Sequence, residues 1–181
     1  RYGTVTGVQT CALPISHPNW VAAAIEVMTQ SNASAANIFA ENKVIAATDI
    51  TGFGLARHAL NLAQRLGAGG CEIVLERLPL LPGVVTLSEA GVVSSLYDQN
   101  RVATPFTVQT KPKTRPKVLV DYAVLFDPQT SGGLLGVFEP LKAQKALAEL
   151  KESGHNAAII GQLNKHGSGV KIVHHDDTTT I

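Results

Sequence analysis

The sequence predicts an α+β domain in which a mixed β-sheet is covered by helices. Three observations lead there. The chain has 181 residues, enough for one domain with a substantial core. Helix-spaced apolar positions alternate irregularly with short apolar runs, and the chain closes on a helix followed by two strand-like runs. No internal repeat is visible, which removes solenoid and propeller architectures.

The elements follow from local pattern. Residues 1–16, RYGTVTGVQTCALPIS, have no charged lead, apolar stretch and cleavage pattern, so they do not read as a signal peptide. They read as a non-native leader, the translated read-through of a sequencing adapter, with a domain at 17–175 and a loose tail at 176–181. From Asn19 to Gln30, Trp20, Ala23, Ala24, Val27 and Met28 mark one face of a helix. Ser31 or Asn32 caps a second helix through Ala33 to Asn42, burying Ala36, Ile38 and Phe39. Val44 to Ala47 is a short strand. Gly52 to Leu66 is a helix with Thr51 as its N-cap, ended by Gly67-Ala68-Gly69-Gly70.

Cys71 to Leu75 is a strand and Val84 to Ala90 a short helix. Gly91 to Pro116 lacks periodicity, carries Pro105, Pro112 and Pro116, and reads as a long loop. Lys117 to Leu125 is a helix or a strand, Leu134 to Phe138 a buried strand, and Pro140 to Lys151 a helix. Ala157 to Leu163 and Val170 to His174 are two strands joined by a hairpin-like turn at Asn164 to Gly169.

Composition narrows the function. Net charge is +1 and no basic stripe with interleaved aromatics appears, which leaves nucleic-acid binding unsupported. No apolar run approaches roughly 18 residues, so no membrane span is expected. Cys11 and Cys71 make no CxxC or metal-ligand spacing, and a reduced, cytoplasmic setting is expected. The six histidines do not cluster, and Cys71 reads as a small buried apolar residue.

Two segments carry the chemistry. The first is Ala47-Thr48-Asp49-Ile50-Thr51-Gly52-Phe53-Gly54-Leu55, and the second Asp127-Pro128-Gln129-Thr130-Ser131-Gly132-Gly133-Leu134-Leu135. Each sets an acid, hydroxyls and glycines beside an apolar run. That set suits a metal-bound phosphate, with carboxylate oxygen for a hard cation and bare N–H groups for anionic oxygens. Asp49 is a candidate Mg²⁺ ligand, though the residues alone favour its reading as a cap of the following helix. Thr48, Thr51, Gly52, Thr130, Ser131, Gly132 and Gly133 are the candidates for a phosphate cleft. Gly52 and Gly54 would let backbone approach a ligand, and Asp127 would orient the second turn through an Asx-type bond. Neither a dinucleotide fingerprint nor a Walker A loop is present.

ATDITGFGL followed by HALNLA, and LFDPQTSGGLL followed by AAIIGQL, resemble the C-terminal domain of the selenophosphate synthetase (selenide, water dikinase) family. That family belongs to the aminoimidazole ribonucleotide synthetase-like superfamily of ATP-using enzymes. The likeness runs from about Asn19 to about Val173, and Ser94 to Arg101 fits the family's variable middle loop. It implies that the parent enzyme converts selenide and ATP to selenophosphate, AMP and orthophosphate with Mg²⁺, for selenocysteine and selenouridine synthesis. It also implies that Asp49 coordinates the Mg²⁺ on the nucleotide phosphates. It places the other metal aspartates, the ATP-binding residues and the reactive Cys or selenocysteine with its Lys in an N-terminal domain, expected to lie outside this sequence. No catalytic residue is therefore assigned to this chain, which is expected to be inactive alone and to work with that domain, in a homodimer. Arg57 departs from the family's usual glycine and either sits on the surface or crowds a helix–sheet contact. Two alternatives stay open: another superfamily enzyme, of the thiamine-phosphate kinase or hydrogenase-maturation type, and a noncatalytic anion-binding module.

Overall fold

The computed structural model describes residues 16–109 and 118–174. The expected leader, Cys11, the end of the long loop and the tail lie outside the described residues.

Helix α1 (Pro18–Thr29) and helix α2 (Ala33–Glu41) lead into strand β1 (Ala46–Asp49). Helix α3 (Gly54–Arg65) is followed by β2 (Gly70–Val74), α4 (Val84–Glu89), α5 (Tyr97–Ala103) and β3 (Phe106–Val108). Then come α6 (Val118–Phe126), β4 (Leu134–Val137), α7 (Pro140–Glu152), β5 (Gly161–Asn164) and β6 (Gly169–Val173).

The strands form two sheets. β1 and β4 make an antiparallel ribbon in which Asp49 faces Leu134 and Thr48 faces Leu135. The other four lie in the order β3-β6-β2-β5, with β2–β5 antiparallel and β2–β6 and β3–β6 parallel. The expected mixed sheet is this second one. The expected hairpin between the last two strands is corrected: β2 lies between β5 and β6, so they do not pair. Glycines let the chains close up there, since a Cβ on Gly70 would stand 2.2 Å from the Gly169 carbonyl oxygen.

α3 is the central helix. Its broad apolar face puts Leu55, Ala56, Ala59, Leu60 and Ala63 into a core shared with Ile73, Val170 and Ile172 of the sheet and Leu125 and Phe126 of α6. A second cluster joins Ala35 and Phe39 of α2 to Leu150 of α7. On α1 the expected core face is only half-buried at Trp20, Ala23, Ala24 and Met28, and Val27 is exposed.

The largest departure is in Gly91 to Pro116. It is not one loop: α5 and β3 occupy part of it. Buried Tyr97 and Asn100 hold α5, and β3 is recruited by β6, a long-range pairing that local periodicity does not encode.

Candidate functional site

The two motif segments meet where β1 ends and β4 begins. The N–H of Ile50 donates to Gly133 O at 3.0 Å, and the N–H of Gln129 donates to Thr51 O at 3.1 Å. Gly132 lies so close that a Cβ there would stand 2.3 Å from Ile50 O. A third tie comes from α2, whose N-cap residue Asn32 donates Nδ2–H to Gly132 O at 3.0 Å.

Asp49 is exposed, on the last residue of β1, one ladder step from that bend. With Thr48 it edges a cavity of about 280 Å³ whose wall is apolar, from Ala36, Phe39 and Ala40 of α2, with Val44 and Leu134. Its carboxylate favours the charged form of His58. Thr48 Oγ1 donates to Asp49 O at 3.1 Å, so this hydroxyl is spent on its own backbone.

Thr51 is not the cap of α3. The helix starts at Gly54 with Phe53 as N-cap and no side-chain bond, because Thr51 O receives the Gly54 N–H and closes a turn. Gly54 sits at φ 76°, and a Cβ there would meet Phe126 C at 2.8 Å. Its glycine serves the seam between α3 and α6. Both the N–H and Oγ1 of Thr51 lie 3.1 Å from His58 Nε2, the N–H donating to it. Burial lowers the His58 pKa and outweighs the pull of Asp49, which favours the neutral ring with an Nε2 lone pair.

The second segment holds the open backbone. Ser131 lies at φ 50°, in the left-handed region, and both it and Gly133 are exposed. Among the described residues, the N–H groups of Thr130, Ser131, Gly132 and Gly133 have no protein acceptor. Successive free N–H groups around a left-handed residue are the raw material of an anion nest.

Asp127 makes no Asx-type bond among the described residues. It lies beside a small cavity with Val84, Val92, Tyr97 and Ala123, where burial pushes its carboxyl up to about 7. The low-dielectric wall explains that direction.

Sequence reasoning passed over Asn100. It is buried, and its Nδ2 donates to Gly52 O at 2.9 Å and to Phe126 O at 3.0 Å. A lone Asn within an irregular stretch gives no signal of this. Arg57 is resolved too: Nη1 donates to Ala103 O at 2.8 Å and so caps the C-terminus of α5. His174 is buried, with Nδ1 2.9 Å from Glu76 Oε1 and Nε2 3.3 Å from Tyr122 OH. Cys71 is buried as expected, its thiol pushed up to about 11.

No group of three or more His, Cys, Asp or Glu that could hold a metal ion occurs among the described residues. One exposed carboxylate fits an ion that takes most of its shell from water and phosphate, as Mg²⁺ does. No helix of the described residues is long and apolar enough to cross a membrane.

Comparison with known proteins bears on the chain as a whole. Residues 16–174 match the AIR synthase related protein, C-terminal domain. The chain is 36% identical over 165 residues to a selenide, water dikinase of Nitratidesulfovibrio vulgaris, covering 88% of this chain and 45% of that protein. It is 38% identical over 165 residues to one from Geobacter sp. (strain M21), covering 90% and 46%. A third, from Citrifermentans bemidjiense, is 37% identical over 171 residues, covering 93% and 47%. The chain spans about half the length of these curated relatives.

Proposed function

The chain belongs to the AIR synthase related protein family, as its C-terminal domain, and from that premise we propose that it is the C-terminal part of a selenide, water dikinase. The reaction is formation of selenophosphate from selenide and ATP, with AMP and orthophosphate released. The name carried by the relatives favours this over the thiamine-phosphate kinase and hydrogenase-maturation readings.

One observation supports a share in phosphate handling. The Ile50–Gly133 bond joins the residue after Asp49 to a bend whose N–H groups are free. Asp49 offers carboxylate oxygen for Mg²⁺, with the remaining ligands drawn from phosphates, water and an N-terminal domain. When bound, that ion neutralises phosphate charge. The N–H groups of Thr130 to Gly133, with the hydroxyls of Thr130 and Ser131, take phosphate oxygens. Thr48, Thr51 and Gly52 shape the other wall; the Thr51 amide is turned to His58 and held off the ligand. The chain works in the cytoplasm, in a homodimer, and needs the N-terminal domain for turnover.

The test has two arms on the chain itself. Mn²⁺ added as a paramagnetic stand-in for Mg²⁺ is expected to broaden the amide signals of Thr51 and Ser131, and Asp49→Asn to abolish that. ATP and selenide are expected to give no AMP. Equal broadening in Asp49→Asn removes Asp49 from the site. AMP formed by the chain alone removes the need for a second domain.

A further inference from the structure

The first segment is tied to the second by backbone bonds at the ribbon, at Ile50 and Gln129. A different contact holds them from behind. Asn100 is only 7% exposed, and one nitrogen serves both Gly52 O and Phe126 O. Gly52 lies in the turn that follows Asp49, and Phe126 ends α6 one residue before Asp127. The carboxamide therefore spans the two chains that leave the ribbon. A hydrophobic side chain of like size would leave the buried Phe126 carbonyl and the part-buried Gly52 carbonyl without this donor.

The helix that carries Asn100 is itself pinned. Arg57 Nη1 reaches Ala103 O, and Arg101 stands 5.6 Å from the centre of the Phe106 ring. Tyr97 packs edge-on to Phe126 at 6.3 Å. α5 is thus braced against α3, β3 and α6, and it presents the Asn100 carboxamide inward between the motif segments.

We propose that Asn100 is a positioning residue of the phosphate site: it fixes the spacing between the Asp49–Gly52 turn and the Asp127–Gly133 bend. Its role in ligand binding rests on the phosphate-cleft reading above; the clamp itself does not. The clamp transmits through backbone, so its loss loosens the join between the segments without removing any N–H, hydroxyl or carboxylate assigned to the ligand.

The experiment is amide hydrogen exchange on the whole chain. The Ile50 and Gln129 amides report the join, and the Val74 amide, bonded to Ile160 O at 2.8 Å in the four-stranded sheet, reports the rest of the fold. Asn100→Leu is expected to speed exchange at Ile50 and Gln129 about tenfold more than at Val74, the scale of one or two lost hydrogen bonds. Asn100→Gln, which keeps the donor, is expected to recover part of it. Should Asn100→Leu fail to fold, Arg57→Met releases α5 from outside and is expected to shift the same two amides in the same sense by a smaller factor. Equal acceleration of all three amides, or none at Ile50 and Gln129, overturns the proposal. In the folded variant, Mn²⁺ is expected to broaden Ser131 several-fold less relative to Thr51 than in the parent. If Mn²⁺ broadens neither amide in the parent, the metal reading fails, and the exchange ratios still decide the clamp.

Discussion

The N–H of Ile50 donates to the carbonyl oxygen of Gly133 at 3.0 Å, so the residue after Asp49 and the last glycine of the second motif are bonded neighbours. Segments far apart in sequence become one strand-end junction. A carboxylate stands on one side of it and free N–H groups on the other.

Glycine requirements at this junction are unequal. Gly132→Ala drives a Cβ to 2.3 Å from Ile50 O, a backbone atom that cannot swing aside. A loss of about 2–3 kcal/mol is expected, on the scale of overpacked cores. Gly133→Ala meets nothing within 4 Å and should leave stability nearly unchanged. Thermal melting of the two variants checks the contrast; equal losses would mean that the bend is packed differently.

Asp127 sets a pH dependence. Its folded pKa, about 7, lies above the ordinary 3.8, so between those values the folded chain keeps a proton that the unfolded chain has released. Stability falls as pH rises through that window and is flat above it. Asp127→Asn removes the loss and should gain on the order of 4 kcal/mol at pH 8 and little at pH 4. Denaturant melts at the two pH values measure this; a gain independent of pH would contradict it.

Much of the fold was legible. The α3 stripe, the glycine run after it and the Pro140 start of α7 are local signals, and they hold. The pairing of β5 and β6 with β2 was not, because two adjacent short strands separated by Gly and Asn look like a hairpin whichever strand lies between them. Thr51 misled for a related reason. A Thr before Gly-Phe-Gly has the composition of a cap, yet His58, one turn into the helix, engages it first. The glycines of the second motif were visible as glycines. That Gly132 accommodates Ile50 O while Gly133 faces open space depends on a neighbour distant in sequence.

His58 gives a second pH effect, of opposite sense. Burial holds its folded pKa below 6.5, so as pH falls the unfolded chain takes up a proton first and stability declines. His58→Gln keeps an acceptor for the Thr51 N–H and should flatten stability between pH 6.5 and lower values. Melting across that range checks it; an unchanged slope would show that His58 is not the titrating group.

The bond from Arg57 to Ala103 O ties α3 to the end of α5. Arg57→Gly loses that bond and places glycine inside α3, each worth about 1 kcal/mol. A fall of several degrees in melting temperature is expected. An unchanged melting temperature would mean that the Arg57 bond contributes nothing in solution.

The central claim is that Asp49 handles metal-bound phosphate in selenophosphate formation. The direct measurement joins residues 17–174 to the N-terminal half of a selenide, water dikinase relative and follows AMP release from ATP. Turnover should require selenide and Mg²⁺, and Asp49→Ala should lower it about 100-fold or more while the melting curve stays in place. An Asp49→Ala chimera with the parent's rate and Mg²⁺ dependence would contradict the account.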